Sequence, residues 1–250
     1  MKIAVINFSG NVGKTTVARH LLVPRIAGAE LIAVESLNAD EGQGQALRGR
    51  QFGELQEYLQ TIDNAVVDIG ASNVEELLDL MRRYRGSHED FDCFVVPTVP
   101  ALKQQQDTIA TLVDLSRLGL PASKIRLVFN MVESGLDFKT TFFLVLGFLD
   151  EQRVATANPA CRLGTNEIYA RIRNKGIDLT ALVRDDTDYK ALIVKTKDTA
   201  ERLALAQKLA TRRLASGVVP ELDACFAALD LRSGIVNEAA ILPAPTPCPT

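Results

Sequence analysis

Histidine, cysteine and long apolar runs are all scarce in this sequence, and each scarcity narrows what the chain does. There are two histidines, His20 and His88, and four widely separated cysteines, Cys93, Cys161, Cys225 and Cys248. No CxxC pair or Cys/His cluster exists, so neither a zinc site nor a dense disulfide framework is expected, and a reducing cytoplasm is the simplest home. His20 falls in a helical stretch, where a structural role is expected rather than catalysis. The longest apolar run, FFLVLGFL at 142–149, is too short to span a bilayer and reads as a buried helix or strand. The N-terminal pattern is a strand and a glycine-containing loop, not a secretory signal. Net charge is −3, which argues against strong non-specific attraction to nucleic acid.

What is present is an ordinary globular composition, with 47% hydrophobic and 24% charged residues over 250 positions. Apolar, β-branched runs recur at 3–8, 29–36, 64–70, 91–97, 124–132 and 152–157. Amphipathic segments at 45–61, 73–85, 101–118 and 138–150 lie between them. That alternation predicts an α/β fold with a doubly wound, mainly parallel sheet and helices on both faces. Beyond about 160 the pattern becomes helical: 164–176, then 188–217 as one long helix or two shorter ones stopped at Gly217, then 220–234. The expected division is a nucleotide-binding domain over 1–180, a helical extension over 181–241 packed on it, and a disordered proline-rich tail over 242–250. No internal repeat is found.

The chemistry is concentrated in NFSGNVGKTT at 7–16, between the first strand and an amphipathic helix that Pro24 should kink or end. Strand, glycine-containing loop and helix in that order is the setting of a phosphate loop, G-x-x-x-x-G-K-[ST]. The first glycine of that pattern falls on Phe8. The backbone of Gly10, Asn11, Val12 and Gly13 would present N–H groups to an anion at the helix start. Glycine permits close approach, and asparagine is among the residues that best tolerate positive φ. Lys14 would reach the β- and γ-phosphates, and the Thr15 hydroxyl would hold Mg²⁺. Asp68, ending the apolar strand NAVVDIG, would hold Mg²⁺ through water beside Thr15. In the acidic loop 33–42, Glu35 has two readings: it orients the attacking water, or it belongs to a solvated loop. Asn130 ends another strand, and its amide can pair with a purine edge. The guanine signature N-K-x-D fails at 130–133, and NKGID at 174–178 has its acid one position late. Adenine is therefore expected.

Taken together, SGNVGKTT, VVDIGASN and VFNMV resemble the deviant phosphate-loop ATPases of the ParA/MinD type, whose loop reads K-G-G-x-G-K-[ST]-[ST]. The match covers roughly residues 1–180. Within that type, NFSGNVGKTTVARHLL and DIGASNVEELL look closest to StbB-type plasmid-stability proteins. The resemblance implies a SIMIBI-class domain, Mg-ATP binding, slow hydrolysis and nucleotide-governed dimerisation. It also implies work in plasmid stability alongside a DNA-binding partner, an StbA-like adaptor, so that DNA contact is indirect. Lys14, Thr15, Thr16 and Asp68 match the motif positions, and Asn130 stands where the adenine contact would be. Asn158 and Pro159 fall where a post-strand loop covers the base, and Glu35 falls at a catalytic acid. The departure is at the front of the loop: the type's first lysine aligns with Ser9, and the glycine before it with Phe8. A monomer or weak nucleotide-dependent homodimer follows from that loss. Two other readings of the same fold stand beside it, an ATP-dependent metabolic enzyme resembling dethiobiotin synthetase and a nucleotide-responsive scaffold with negligible hydrolysis.

Overall fold

A computed structural model describes residues 1–34, 49–173 and 175–231. Glu35, the rest of the acidic loop, Asn174, Cys248 and the proline-rich tail lie outside the described residues. Six strands form one sheet: β1 (Lys2–Val5), β2 (Glu30–Ala33), β3 (Ala65–Asp68), β4 (Cys93–Thr98), β5 (Ile125–Val132) and β6 (Arg162–Gly164). Their order is β2-β3-β1-β4-β5-β6, and every pairing is parallel. The direction of build-up reverses at β1, so the loop that leaves β1 stands at the crevice where ligands of such sheets bind.

Side-chain alternation along the strands sorts the core into two layers. Ala4, Ile6, Val67, Phe94 and Phe129 face one way, onto α2 (Gly49–Thr61), α3 (Val74–Arg83), α4 (Leu102–Arg117) and, beyond the short α5 (Phe138–Thr141), α6 (Phe143–Gln152). Ile3, Val5, Val66, Val95 and Val128 face the other way. There they meet the helix that opens at Lys14, together with α7 (Ile168–Ile172), α8 (Leu179–Arg184) and α10 (Thr199–Leu229), while α9 (Tyr189–Lys195) flanks α10. The sheet is thus doubly wound, as the alternation of apolar runs predicts, and a helical C-terminal region is present. Among the described residues no helix is long and apolar enough to cross a membrane. Cys93, Cys161 and Cys225 are free, buried thiols, pushed up to about 12, 11 and 12 mainly by burial.

Prolines account for two local departures. The first helix, α1, begins as Lys14–Thr16, widens into a π-helical turn over Val17–Leu22 and tightens over Val23–Arg25. Pro24 has no N–H to give to the carbonyl of His20 four residues back. The ladder shifts, so that Val23 N–H reaches Ala18 O, five residues back. The Arg25 guanidinium then serves the carbonyls of His20 (2.8 Å) and Leu21 (3.1 Å).

The second departure corrects the sequence reading. Helices expected to stop at Gly217 and restart at Pro220 are one helix, Thr199–Leu229, with Pro220 inside it. Gly217 is not among the residues with positive φ, so it does not act as a stop. Beyond it Val218, Leu222, Cys225 and Leu229 continue one buried face. A buried stripe at helical spacing outweighs one missing amide. The half of α10 before Ala215 is largely exposed.

The last strand is also displaced from its expected place. Residues 152–157 are not a strand: Arg153 caps α6 in a left-handed conformation, φ 49°, and only Thr156 bridges to Arg126. The strand is Arg162–Gly164, three residues of which only Leu163 is buried.

Candidate functional site

β1, β3 and β2 end level with one another, since both Val5 and Ala33 register with Asp68. The chain leaving β1 turns at Asn7, whose fully buried amide is saturated. It donates to Pro97 O (2.8 Å) and Thr108 Oγ1 (2.9 Å) and accepts from Ser9 N (2.7 Å). Phe8 N–H donates to Thr111 Oγ1 (3.1 Å), and its ring packs against the core layer that contains α4. The front of the loop is therefore fastened to β4 and α4. Ser9 is 5% exposed and lies folded within the loop.

The back of the loop carries the strained backbone. Asn11 has φ 59° and Gly13 φ 86°. A Cβ at Gly13 would stand 2.1 Å from Nδ2 of Asn130. Gly13→Ala therefore adds a left-handed penalty of about 1–2 kcal/mol to a direct overlap. We expect its melting temperature to fall by about 2–8 °C and nucleotide binding to be lost. A variant that melts and binds like the wild type would show that the loop relaxes freely. Lys14, 7% exposed, stretches across the loop and donates through Nζ to Asn7 O (3.0 Å) and Ser9 O (2.7 Å). Its ammonium thus stands over the concavity that the loop backbone encloses.

A cavity of about 590 Å³ opens beside the loop, within the range of small-ligand sites. Of the residues picked out by sequence, Gly10, Asn11, Gly13, Lys14, Thr15, Thr16 and Asp68 all line it. Gly70 lines it as well, two residues after Asp68. Val12 does not. It is buried, and its carbonyl accepts from Asn130 Nδ2 at 2.9 Å.

Three further residues singled out by sequence, Asn130, Asn158 and Pro159, are not in the cavity lining. Asn130 is buried. Its donor holds Val12 O and its acceptor takes Met131 N–H (2.9 Å), which also fixes the orientation of the amide. It braces the loop from β5. Asn158 and Pro159 are exposed and precede β6, rather than following a strand into the cavity. Asn158 Nδ2 donates instead to Ala228 O, near the end of α10 (3.1 Å).

The cavity has members that the sequence reading missed: Arg19, His20, Met131, Tyr169, Ile172 and Arg173. His20 lies four residues after Thr16, one turn along the same helix, so helical spacing alone could have found it. Tyr169, Ile172 and Arg173 follow β6 and were hidden by the misplaced strand. The His20 and Tyr169 rings lie 5.8 Å apart, tilted by 36°. Burial, then Arg19, lowers the His20 pKa to about 4 against an opposing pull from Asp178, so its imidazole is neutral at physiological pH. Burial raises the Tyr169 phenol above its usual value.

Two contacts tie α10 to this region. Asp223 pairs with Arg25 (2.8 Å) at the end of α1. Glu221 accepts from the Gly164 N–H where β6 ends.

The sheet order, the loop between β1 and α1, and Asp68 at the end of the adjacent strand define a doubly wound phosphate-loop fold. No family model matches the sequence, and no curated protein does. Among solved structures the chain is similar to apo McdA from Cyanothece, at 15% identity and a TM-score of 0.49, over 86% of this chain and 99% of that one. It is similar to the cell division protein MinD of Aquifex aeolicus, at 12% identity and a TM-score of 0.48, over 86% and 96%. A Borrelia burgdorferi chain named for plasmid partition and bound to AMPPNP gives 14% identity and 0.46, over 84% and 96%. These neighbours are of the ParA/MinD type, and the likeness is distant.

Proposed function

We propose that the chain is a ParA-like ATPase switch that binds Mg-ATP at the β1–α1 loop and acts in positioning or partition. Within that role the finer reading is plasmid stability, with a DNA-binding, StbA-like adaptor carrying the contact to DNA. The observation that supports it is the convergence of Lys14, Thr15 and Asp68 on one cavity beside the loop. The residues suit the group. The loop offers N–H donors in a left-handed turn, Lys14 brings a positive charge to its rim, and a hydroxyl and a carboxylate are the oxygen ligands that Mg²⁺ takes.

ATP would supply the phosphoryl group to be transferred. Lys14 would neutralise the β- and γ-phosphates, Thr15 would hold Mg²⁺, and Asp68 would hold its water. Gly10, Asn11, Val12, Gly13 and Thr16 would shape the anion seat. Glu35, which falls at a catalytic acid of the resembled type, would orient the attacking water. In this reading residues 1–180 are the nucleotide-binding unit, and the helices from 181 to 241 are an extension packed on it.

Calorimetry tests the proposal directly. Wild-type protein is expected to bind ATP more tightly with Mg²⁺ than without. Asp68→Asn should retain much of the affinity while losing most of the magnesium dependence. An identical magnesium titration for the variant would remove Asp68 from the metal shell. No ATP binding by the wild type would remove the function.

A further inference from the structure

Two chemically different sets of residues line the cavity. One is the loop with Lys14, which brings positive charge and N–H donors. The other includes the His20 and Tyr169 rings, 5.8 Å apart, and Ile172. Thr16 and His20 lie four residues apart on α1 and both line the cavity, so the space beside the loop continues along this helix.

We propose that His20 and Tyr169 form the seat for the base of the bound nucleotide. The inference rests on the phosphate-loop reading and goes beyond it by naming the side chains that meet the nucleoside. Three observations carry it. The rings are tilted by 36° rather than stacked on one another, so they do not consume each other's faces. Beside the loop the cavity is lined by two ring faces and an aliphatic side chain, His20, Tyr169 and Ile172, which suit a flat heteroaromatic ring, while Arg19 and Arg173 in the same lining are exposed. Finally, the positions that would otherwise read a base are engaged elsewhere. Asn130 is bonded to Val12 and Met131, and Asn158 to Ala228. Arg19 and Arg173 are exposed, whereas His20 and Tyr169 are half-buried.

Inorganic tripolyphosphate, which has no base, separates this seat from the phosphate loop. Wild type, His20→Ala, Tyr169→Ala and Lys14→Ala are titrated with Mg-ATP and with magnesium tripolyphosphate. Loss of one aromatic stacking partner is expected to weaken ATP roughly tenfold and to leave tripolyphosphate unchanged, which also shows that the loop is folded. His20→Phe keeps a ring face and should recover most of the ATP affinity. Lys14→Ala should weaken both ligands. If ATP affinity in His20→Ala and Tyr169→Ala equals that of the wild type while Lys14→Ala loses both ligands, the base seat is overturned and the loop reading stands. If the aromatic variants lose both ligands together, the pair braces the loop and the seat is overturned as well. If the wild type binds neither ligand, the phosphate-loop reading fails and the seat falls with it.

Discussion

Replacing Lys14 with alanine is expected to lower the affinity for Mg-ATP by roughly a hundredfold or more. The side chain is 7% exposed, and its ammonium is placed by two carbonyls of its own loop, Asn7 O and Ser9 O. A phosphate oxygen entering the loop therefore meets a cation already delivered to the rim. A hydrogen bond to a charged group contributes about 1.5–3 kcal/mol, so losing two of them lowers affinity by about two orders of magnitude. The variant also leaves both carbonyls without their present donor, which loosens the backbone around the vacated place. Lys14→Arg should not rescue binding, because a planar five-donor fork does not replace a compact ammonium. Equal affinity of Lys14→Ala and wild type in a calorimetric titration would remove the phosphate-loop assignment.

Hydrolysis by the isolated protein is expected to be very slow. A cation aimed at the transferring phosphoryl group supplies a factor of about 10³–10⁵ in rate. At the front of this loop, Ser9 stands where the resembled type has its first lysine. Ser9 is inward and 5% exposed. Its N–H is bound to Asn7, and its carbonyl to Lys14. Phe8 beside it packs on the core. Neither residue carries charge out of the loop toward a second molecule. The expected result is a monomer or weak dimer with a non-hydrolysable ATP analogue in light scattering, with turnover rising only when a partner supplies the missing cation. A tight nucleotide-dependent dimer together with brisk phosphate release from the protein alone would show that Ser9 is no handicap.

The sheet was legible wherever a strand is long and buried on both faces. The runs at 3–8, 64–70, 91–97 and 124–132 all overlap strands of the structure, with β1 beginning one residue before its run and β4 ending one residue after. The last strand was not, because three residues with one buried side chain carry no periodicity, while the β-branched stretch 152–157 imitates a strand after a helix cap. The same distinction divides the site. Gly13, Lys14 and Thr15 are neighbours in sequence, and Asp68 ends a recognisable strand, so pattern alone brings them together. Asn7 is held by Thr108, 101 residues away, and Asn130 by Val12, 118 residues away. Such bonds depend on how layers stack, which a single sequence does not display. The engagement of Asn130 with the backbone of Val12 and Met131 is of that kind. A strand-end amide looks the same in sequence whether it turns toward a ligand or toward the loop beneath it.

The continuity of α10 through Pro220 gives the molecule a lever. Its buried half is fixed to the end of α1 by Arg25–Asp223 and to the end of β6 by Glu221. Its largely exposed half runs from Thr199 to Leu214, about 24 Å at the usual helical rise, and is tied to the 185–187 turn through Arg212 near its inner end. A tilt of only about 10° at the clamped end carries the tip of such an arm through roughly 4 Å, a displacement comparable to a side-chain contact made or broken. Had Gly217 and Pro220 broken the helix in two, the same tilt would have been absorbed at the joint.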